Sequence, residues 1–373
     1  MAEEQRTSGL SFRLGGIPVH MPWSSLLGIL IISYLWFDNF RLASAYDDGR
    51  AYVLTGAFAV LFYVTILGHE LAHAVAARMS GFPVSGITLW WLGGFTSFQR
   101  TVPSALRDGL IAAAGPVSSF LIGLGCAVVA AATYDGNQDV RLLAFALATS
   151  NIFLAVYNAL PGLPLDGGNV LRAVVWGITR DERRGTVVAA WGGRVVAVLV
   201  ACLPFWFAFR GGYSPDLVSV VFSVAIAAFI WQGASQALRS AEINARVPRL
   251  SARALARTAV VVAADTPLAE ALRQAEAASA TALVVVDAAG RPTAIASPAA
   301  VDAVPEDRRP WVPVSSVSSA FDPRAAVSAE LVGAELLQAL MAVPSDTYLV
   351  VDPTGQRVGV LAASDVEDAL SHD

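Results

Sequence analysis

The sequence predicts a polytopic α-helical membrane protein of about six transmembrane helices joined to a soluble α/β domain. Three observations carry this reading. First, 55% of the residues are hydrophobic and 15% charged, with a mean hydropathy of +0.57, a balance too apolar for an ordinary soluble chain. Second, six apolar windows, near 23–37, 51–79, 106–133, 141–160, 187–209 and 217–238, approach or reach the roughly 20 residues needed to cross the hydrocarbon. Third, the texture changes after about Val247, where continuous apolar runs give way to short Val-rich strands, Asp/Gly turns and Ala-rich amphipathic helices.

Taken in order, residues 1–22 form an N-terminal segment without a basic-then-apolar signal pattern, so no removable leader is expected. Residues 23–240 hold the membrane domain. Arginines set its orientation: Arg6 and Arg13 precede the first span, Arg78, Arg100 and Arg107 follow the second, Arg172, Arg180, Arg183 and Arg184 the fourth, and Arg239 to Arg257 the sixth. The alternate loops carry acids instead (Asp38, Asp47, Asp48, Asp135, Asp139, Asp216), which places both termini in the cytoplasm of a cell membrane. All basic residues are Arg and none is Lys, a coding bias that points to a bacterial source. A net charge of −5 argues against a nucleic-acid partner. Cys126 and Cys202 both lie in apolar runs and read as packing residues, and His20 as an interfacial one.

The second window ends in TILGHELAHAVAARMSG. On a helix, residues four apart share a face, so His69 and His73 can present imidazole nitrogens to one ion with Glu70 beside them. Only four histidines exist in the chain, and two have this spacing. Ionisable groups inside a span cost roughly 2.5–3.5 kcal/mol each on insertion scales, and a bound cation in a hydrated cavity compensates them. Zinc suits such nitrogen ligands and lowers the pKa of a bound water to about 7, whose proton Glu70 can take. At 1.5 Å per residue, His69 falls about 16 Å from the end of its helix.

A third ligand has to come from elsewhere. NALPGLPLDGGNVL, at the end of the fourth window, has Pro161 and Pro164 to break the helix and Asp166 followed by two glycines, which makes Asp166 the favoured carboxylate. GHELAH in one span and NALPGLPLDGG in a later one together resemble the paired signatures of the site-2 protease family. That resemblance covers most of residues 20–180. It implies an intramembrane zinc endopeptidase with one Zn²⁺ per site, held by His69, His73 and Asp166. Glu70 is then the general base and Asn158 a neighbour that supports the oxyanion. The substrate it implies is a membrane-anchored regulatory protein embedded in the lipid bilayer.

Two further stretches fit this resemblance. GITLWWLGGFTSFQ (86–99) has strand-like runs around Gly93 and Gly94 and is similar to a membrane-associated β-hairpin whose edge pairs with substrate, which makes Gly93, Gly94 and Phe95 substrate-binding candidates; Trp90, Trp91 and Phe95 read equally well as interfacial anchors. AAAGPVSSF (112–120) carries a Gly-Pro read as a packing feature.

The soluble part repeats itself. ALVVVDAAGRPTAIAS and YLVVDPTGQRVGVLAAS align Asp287 with Asp352 and Gly290 with Gly355, and each follows an amphipathic helix. The pair resembles tandem cystathionine-β-synthase (CBS) domains, at 250–303 and 312–371, in the cytoplasm. Such domains bind adenine nucleotides through a Gly-x-x-Thr/Ser-x-x-Asp stretch. Here Gly359 and Asp365 remain in one copy with Ala362 at the hydroxyl position, and the other has Ser297 between Ala294 and Ala300. A homodimer through these domains is therefore at least as well supported as a nucleotide. The competing function is a CBS-regulated metal channel or transporter, which calls for polar residues in several spans or inverted repeats, neither of which the sequence displays.

Overall fold

The computed structural model describes residues 9–44, 48–91, 93–98, 104–354 and 356–371. Its chain forms two compact units divided between Ala241 and Glu242.

In the first unit two strands, β1 (Gly9–Leu14) and β2 (Ile17–Pro22), precede helix α1 (Ser25–Ser44). Helix α2 (Asp48–Met79) leads into the hairpin β3 (Val84–Trp90) and β4 (Gly93–Phe98). Helices α3 (Ala105–Ala132), α4 (Gln138–Asn158), α5 (Asp166–Thr179), α6 (Glu182–Gly211) and α7 (Leu217–Arg246) follow. Among the described residues six helices, all of these but α5, are long and apolar enough to cross a membrane.

The four strands form one sheet in the order β1-β2-β3-β4, antiparallel except where β2 runs parallel to β3. Alternation explains how it seats: Ile17, Val19, Ile87 and Leu89 turn inward onto Ile66 and Ala74 of α2, while Leu10, Phe12 and Leu14 of β1 stay exposed. Residues 9–22 thus join the sheet of the membrane unit. Ser25 fastens the start of α1 to it by donating to the Leu89 carbonyl at 2.7 Å.

Between helices, lipid tails are as apolar as leucine, so close packing through small residues replaces the hydrophobic drive. Buried Ala59, Ala112, Ala146, Ala148, Ala189 and Ala190 serve this purpose. Large apolar side chains such as Leu199, Phe205 and Phe207 point outward from α6. Cys202 is exposed on the same helix and Cys126 is half-buried; both are free thiols.

The second unit holds a short helix α8 (Ala252–Leu255), then β5 (Ala259–Ala263), α9 (Leu268–Ala277), β6 (Ala282–Val286), β7 (Pro292–Ala296), α10 (Pro298–Asp302) and β8 (Ser318–Ala320). A second round follows: β9 (Ala326–Ser328), α11 (Gly333–Ala342), β10 (Thr347–Val351), β11 (Arg357–Ala362) and α12 (Ala363–Ser371). Both rounds run strand–helix–strand–strand–helix, with the first pair of strands parallel and the second antiparallel. Both antiparallel pairs bulge at the same place, Val285/Val286 and Val350/Val351. Asp287 and Asp352 each accept two backbone N–H bonds in the following turn. Gly290 there has φ of 77°, and its expected counterpart Gly355 lies outside the described residues. This duplicated architecture has the element order expected of a tandem CBS pair.

The linear limits 250–303 and 312–371 are crossed in space. Strand β8, from the second interval, extends the first sheet, while Leu250 and Ala252, from the first, pack in the core of Leu336, Val350 and Leu361. The two sheets meet through Val284, Ile295, Leu349 and Val360.

Candidate metal centre

The helix α2 continues through GHELAH without a break, so His69 and His73 lie one turn apart on one face. Both are buried, as is Glu70 between them. Helix α4 stops at Asn158, the chain turns through ALPGLPL, and Asp166 is the first residue of α5. An acid at that position also suits the positive end of a helix dipole.

This loop is held against α6 by backbone rather than side chain. The Leu163 N–H donates to the Ala189 carbonyl at 2.9 Å, and a Cβ added at Gly193 would fall 2.0 Å from the Leu163 oxygen. Only glycine allows that approach. On α7, the Pro164 ring would lie 2.7 Å from a Cβ placed on Gly233.

The result is a triangle of ligand atoms. The Asp166 Oδ2 lies 3.1 Å from His69 Nε2 and 3.3 Å from His73 Nε2, and the two Nε2 atoms are 3.2 Å apart. His73 Nδ1 donates to the Ile111 carbonyl at 2.7 Å, which fixes its tautomer and leaves Nε2 with a lone pair. His69 Nδ1 is tied to Ser119 Oγ at 2.9 Å. With His73 Nδ1 donating to a carbonyl and His69 Nδ1 engaged by a hydroxyl, the Nε2 atoms of both rings and a carboxylate oxygen face one another, an arrangement that a cation satisfies at once. Tetrahedral zinc with bonds of about 2.0–2.1 Å requires ligand-to-ligand edges of about 3.3–3.4 Å. The three edges are within a few tenths of an ångström of that, so the residues fit the ion. Among the described residues this is the group with the donors to hold a metal.

Glu70 is positioned from the sheet. Thr96 of β4 donates its hydroxyl to Glu70 Oε2 at 2.8 Å and to the Glu70 backbone carbonyl at 3.0 Å. Gly94 of the same strand lies so close that a Cβ there would come 2.6 Å from Glu70 Cγ. Strand β4 is an edge of the sheet, and Phe95 is exposed on it. Gly93 occupies the turn with φ of 146°, paired with Trp90. Asn158 is half-buried at the end of α4, and its side chain makes no hydrogen bond among the described residues.

Several functional neighbours escaped the reading of sequence. Ser119, the Ile111 carbonyl and Thr96 all hold the site. Gly115, in the Gly-Pro read as packing, faces the two histidines: a Cβ there would lie 2.2 Å from His73 Nε2 and 2.5 Å from His69 Nε2. The expectation of spans without further polar groups is also corrected. Asn151 is fully buried in α4, and Arg194 lies inside the window 187–209 of α6.

Comparison with known proteins points to metalloproteases. The model of peptidase family M50 matches residues 57–136 and 133–202. Rip3 of Mycobacterium tuberculosis, provisionally named a zinc metalloprotease, is 35% identical over 236 residues, 60% of this chain and 57% of its own. The chain therefore spans little more than half the length of that relative. The sll0528 protein of Synechocystis sp., with the same provisional name, is 26% identical over 370 residues, 96% of this chain and 94% of its own. Among solved structures, a site-2 protease from Methanocaldococcus jannaschii covers 62% of this chain and 95% of its own, with 22% identity and a TM-score of 0.42. By its motifs and its ligand triangle the membrane unit is similar to peptidase family M50 over residues 57–202, and the second unit repeats one strand–helix–strand–strand–helix order.

Proposed function

We propose that the protein is an intramembrane zinc endopeptidase that cleaves a membrane-anchored regulatory protein within or beside its membrane segment. The observation that carries the reading is the convergence of His69, His73 and Asp166 from two separate helices on one point, with Glu70 one residue from the first ligand. Zinc held there would supply Lewis acidity to a water and to the scissile carbonyl. Glu70 takes the proton of the attacking water and returns it to the leaving amine. Thr96 orients the carboxylate for both transfers. Asn158, at the mouth of the loop that carries Asp166, is the candidate to steady the developing oxyanion.

A peptide bond inside a helix is shielded by its own hydrogen bonds, so a substrate has to unwind before attack. The free edge of β4 beside Glu70 offers main-chain partners for such an extended segment, with Gly93, Gly94 and Phe95 along it. The arginine-rich loops support a cytoplasmic location for both termini, the use of Arg without Lys supports a bacterial source, and the repeated domain pair would serve regulation or dimerisation. A channel or transporter is less well supported, because both imidazoles are fastened at their second nitrogens, which suits a resident ion better than one in transit.

Glu70→Gln tests the proposal. It keeps the shape of the side chain and should retain zinc while cleavage of a co-expressed tethered substrate falls by roughly 10²–10⁴-fold. Membrane-anchored proteins that persist intact only in cells carrying the variant would identify substrates. Undiminished cleavage would refute the assignment.

A further inference from the structure

Arg194 is the only charged residue in the apolar window 187–209. Its guanidinium lies 4.7 Å from the ring centroid of Trp191, one turn earlier on α6, and 5.1 Å from that of Trp231 on α7. Nη2 donates to Ser235 Oγ at 3.4 Å, and the buried Nε has no hydrogen-bond partner. Among the described residues no carboxylate pairs with it. Both indoles are themselves exposed, 56% and 45%.

Depth follows from the two helices. Residues 195–209 of α6 hold no charge, and neither do 217–231 of α7, which runs back alongside. At 1.5 Å per residue each stretch covers about 22 Å. Arg210, stacked on Trp206 at 5.6 Å, closes the slab at one end, and Arg194 with Trp231 closes it at the other. That second end is the side of Arg180, Arg183, Arg184 and Arg239.

We propose that Arg194, stacked between Trp191 and Trp231, binds the phosphate of an anionic phospholipid in the leaflet on the arginine-rich side. A guanidinium is permanently charged and presents a planar fork matched to phosphate oxygens. Tryptophans at membrane interfaces sit at headgroup level, and basic pockets between spanning helices on this side suit anionic headgroups. A charge held at such depth without a carboxylate needs a counter-ion, and the lipid brings one.

The seat adjoins the loop of Asp166. Gly193, the neighbour of Arg194, touches the Leu163 carbonyl, and Gly233, two residues from Trp231, touches Pro164. Lipid and loop therefore share one turn of α6 and one turn of α7, so an occupied seat firms the wall against which the loop is held. This last step rests on the zinc reading, and the binding step does not.

The test is native mass spectrometry of the purified full-length protein in detergent, delipidated and titrated with phosphatidylglycerol or phosphatidylcholine. The wild-type chain should retain one phosphatidylglycerol that Arg194→Gln loses, with affinity on the order of tenfold weaker in the variant. Trp231→Ala, which keeps the charge, should weaken the same lipid while circular dichroism stays unchanged. Indistinguishable phosphatidylglycerol binding by wild type and Arg194→Gln would overturn the proposal, as would equal retention of phosphatidylcholine. Displacement of the lipid by millimolar inorganic phosphate would overturn the lipid assignment in favour of a free anion.

Discussion

Gly115→Ala adds one methyl group to α3 and should empty the metal site. The new Cβ would stand 2.2 Å from His73 Nε2 and 2.5 Å from His69 Nε2, whereas ordinary contact begins near 3.4 Å. One or both rings must therefore retreat by about 1 Å. Neither is free to do so, because His73 is fastened to the Ile111 carbonyl and His69 to Ser119, both on the same helix that would carry the methyl. Metal bonds tolerate about 0.2 Å of error, so a retreat of this size removes a ligand. Loss of a single supporting group around a metal commonly costs 10–100-fold in affinity, and displacement of a ligand itself should cost at least that. The matched control is Gly125→Ala on the same helix, where an added Cβ meets nothing within 4 Å. The assay is zinc content by elemental mass spectrometry after graded chelator challenge of both purified variants. Gly115→Ala should lose zinc at 10–100-fold lower chelator strength than wild type, and Gly125→Ala should match wild type. Equal retention in all three proteins would refute the argument that α3 abuts the ion.

Three other outcomes follow from named contacts. Thr96→Val removes the hydroxyl that donates to Glu70 Oε2, so proteolytic turnover should fall by roughly tenfold while zinc content is unchanged, since no metal ligand is touched. Gly193→Ala would drive a methyl into the Leu163 carbonyl, 2.0 Å from the new Cβ, and should lower both zinc retention and turnover by shifting the loop that carries Asp166. In the CBS pair Arg257 donates Nε to Asp365 at 2.8 Å and Nη2 to the other carboxylate oxygen, so the acid that would hold ribose hydroxyls is already engaged. Millimolar ATP should accordingly leave the thermal transition of the full-length wild-type protein unchanged, and Arg257→Ala should show the larger ATP-induced shift of the two; a strong shift in wild type would contradict the reading.

The parts of the site legible in the sequence are those whose chemistry is written in side-chain type and spacing. His69 and His73 are four apart on an uninterrupted helix, and Asp166 follows a double proline break, so two short motifs locate all three members of the group that could hold a metal. The supporting contacts have no such mark. A backbone carbonyl such as that of Ile111 is offered by every residue, and only the crossing of α3 over α2 selects this one. Gly115 and Gly94 are visible as letters, but their value lies in the distance to a partner remote in sequence. The exchange of β8 and of Leu250 and Ala252 between the two CBS cores was hidden for the same reason: each segment is apolar enough for either core, and only the fold decides. Arg194 differs from these. It was plain in the window 187–209, and what the sequence could not supply was its partner, Trp231, on the next helix.

These positions share a physical logic. Within lipid there is no hydrophobic drive to press helices together, and a displaced polar group finds no water, so a polar site cannot be held by bulk burial as in a soluble core. Here each part of the proposed site is instead fixed by a contact that only a missing Cβ permits: α3 against the histidines at Gly115, β4 against Glu70 at Gly94, and the Asp166 loop against α6 at Gly193. Backbone approach of this kind sets distances to a fraction of an ångström, which is the tolerance that metal ligation demands. It also makes the site brittle, since a single methyl at any of the three positions has nowhere to go. That brittleness separates a built metal site from an accidental His-Glu-x-x-His, whose surroundings would accept alanine.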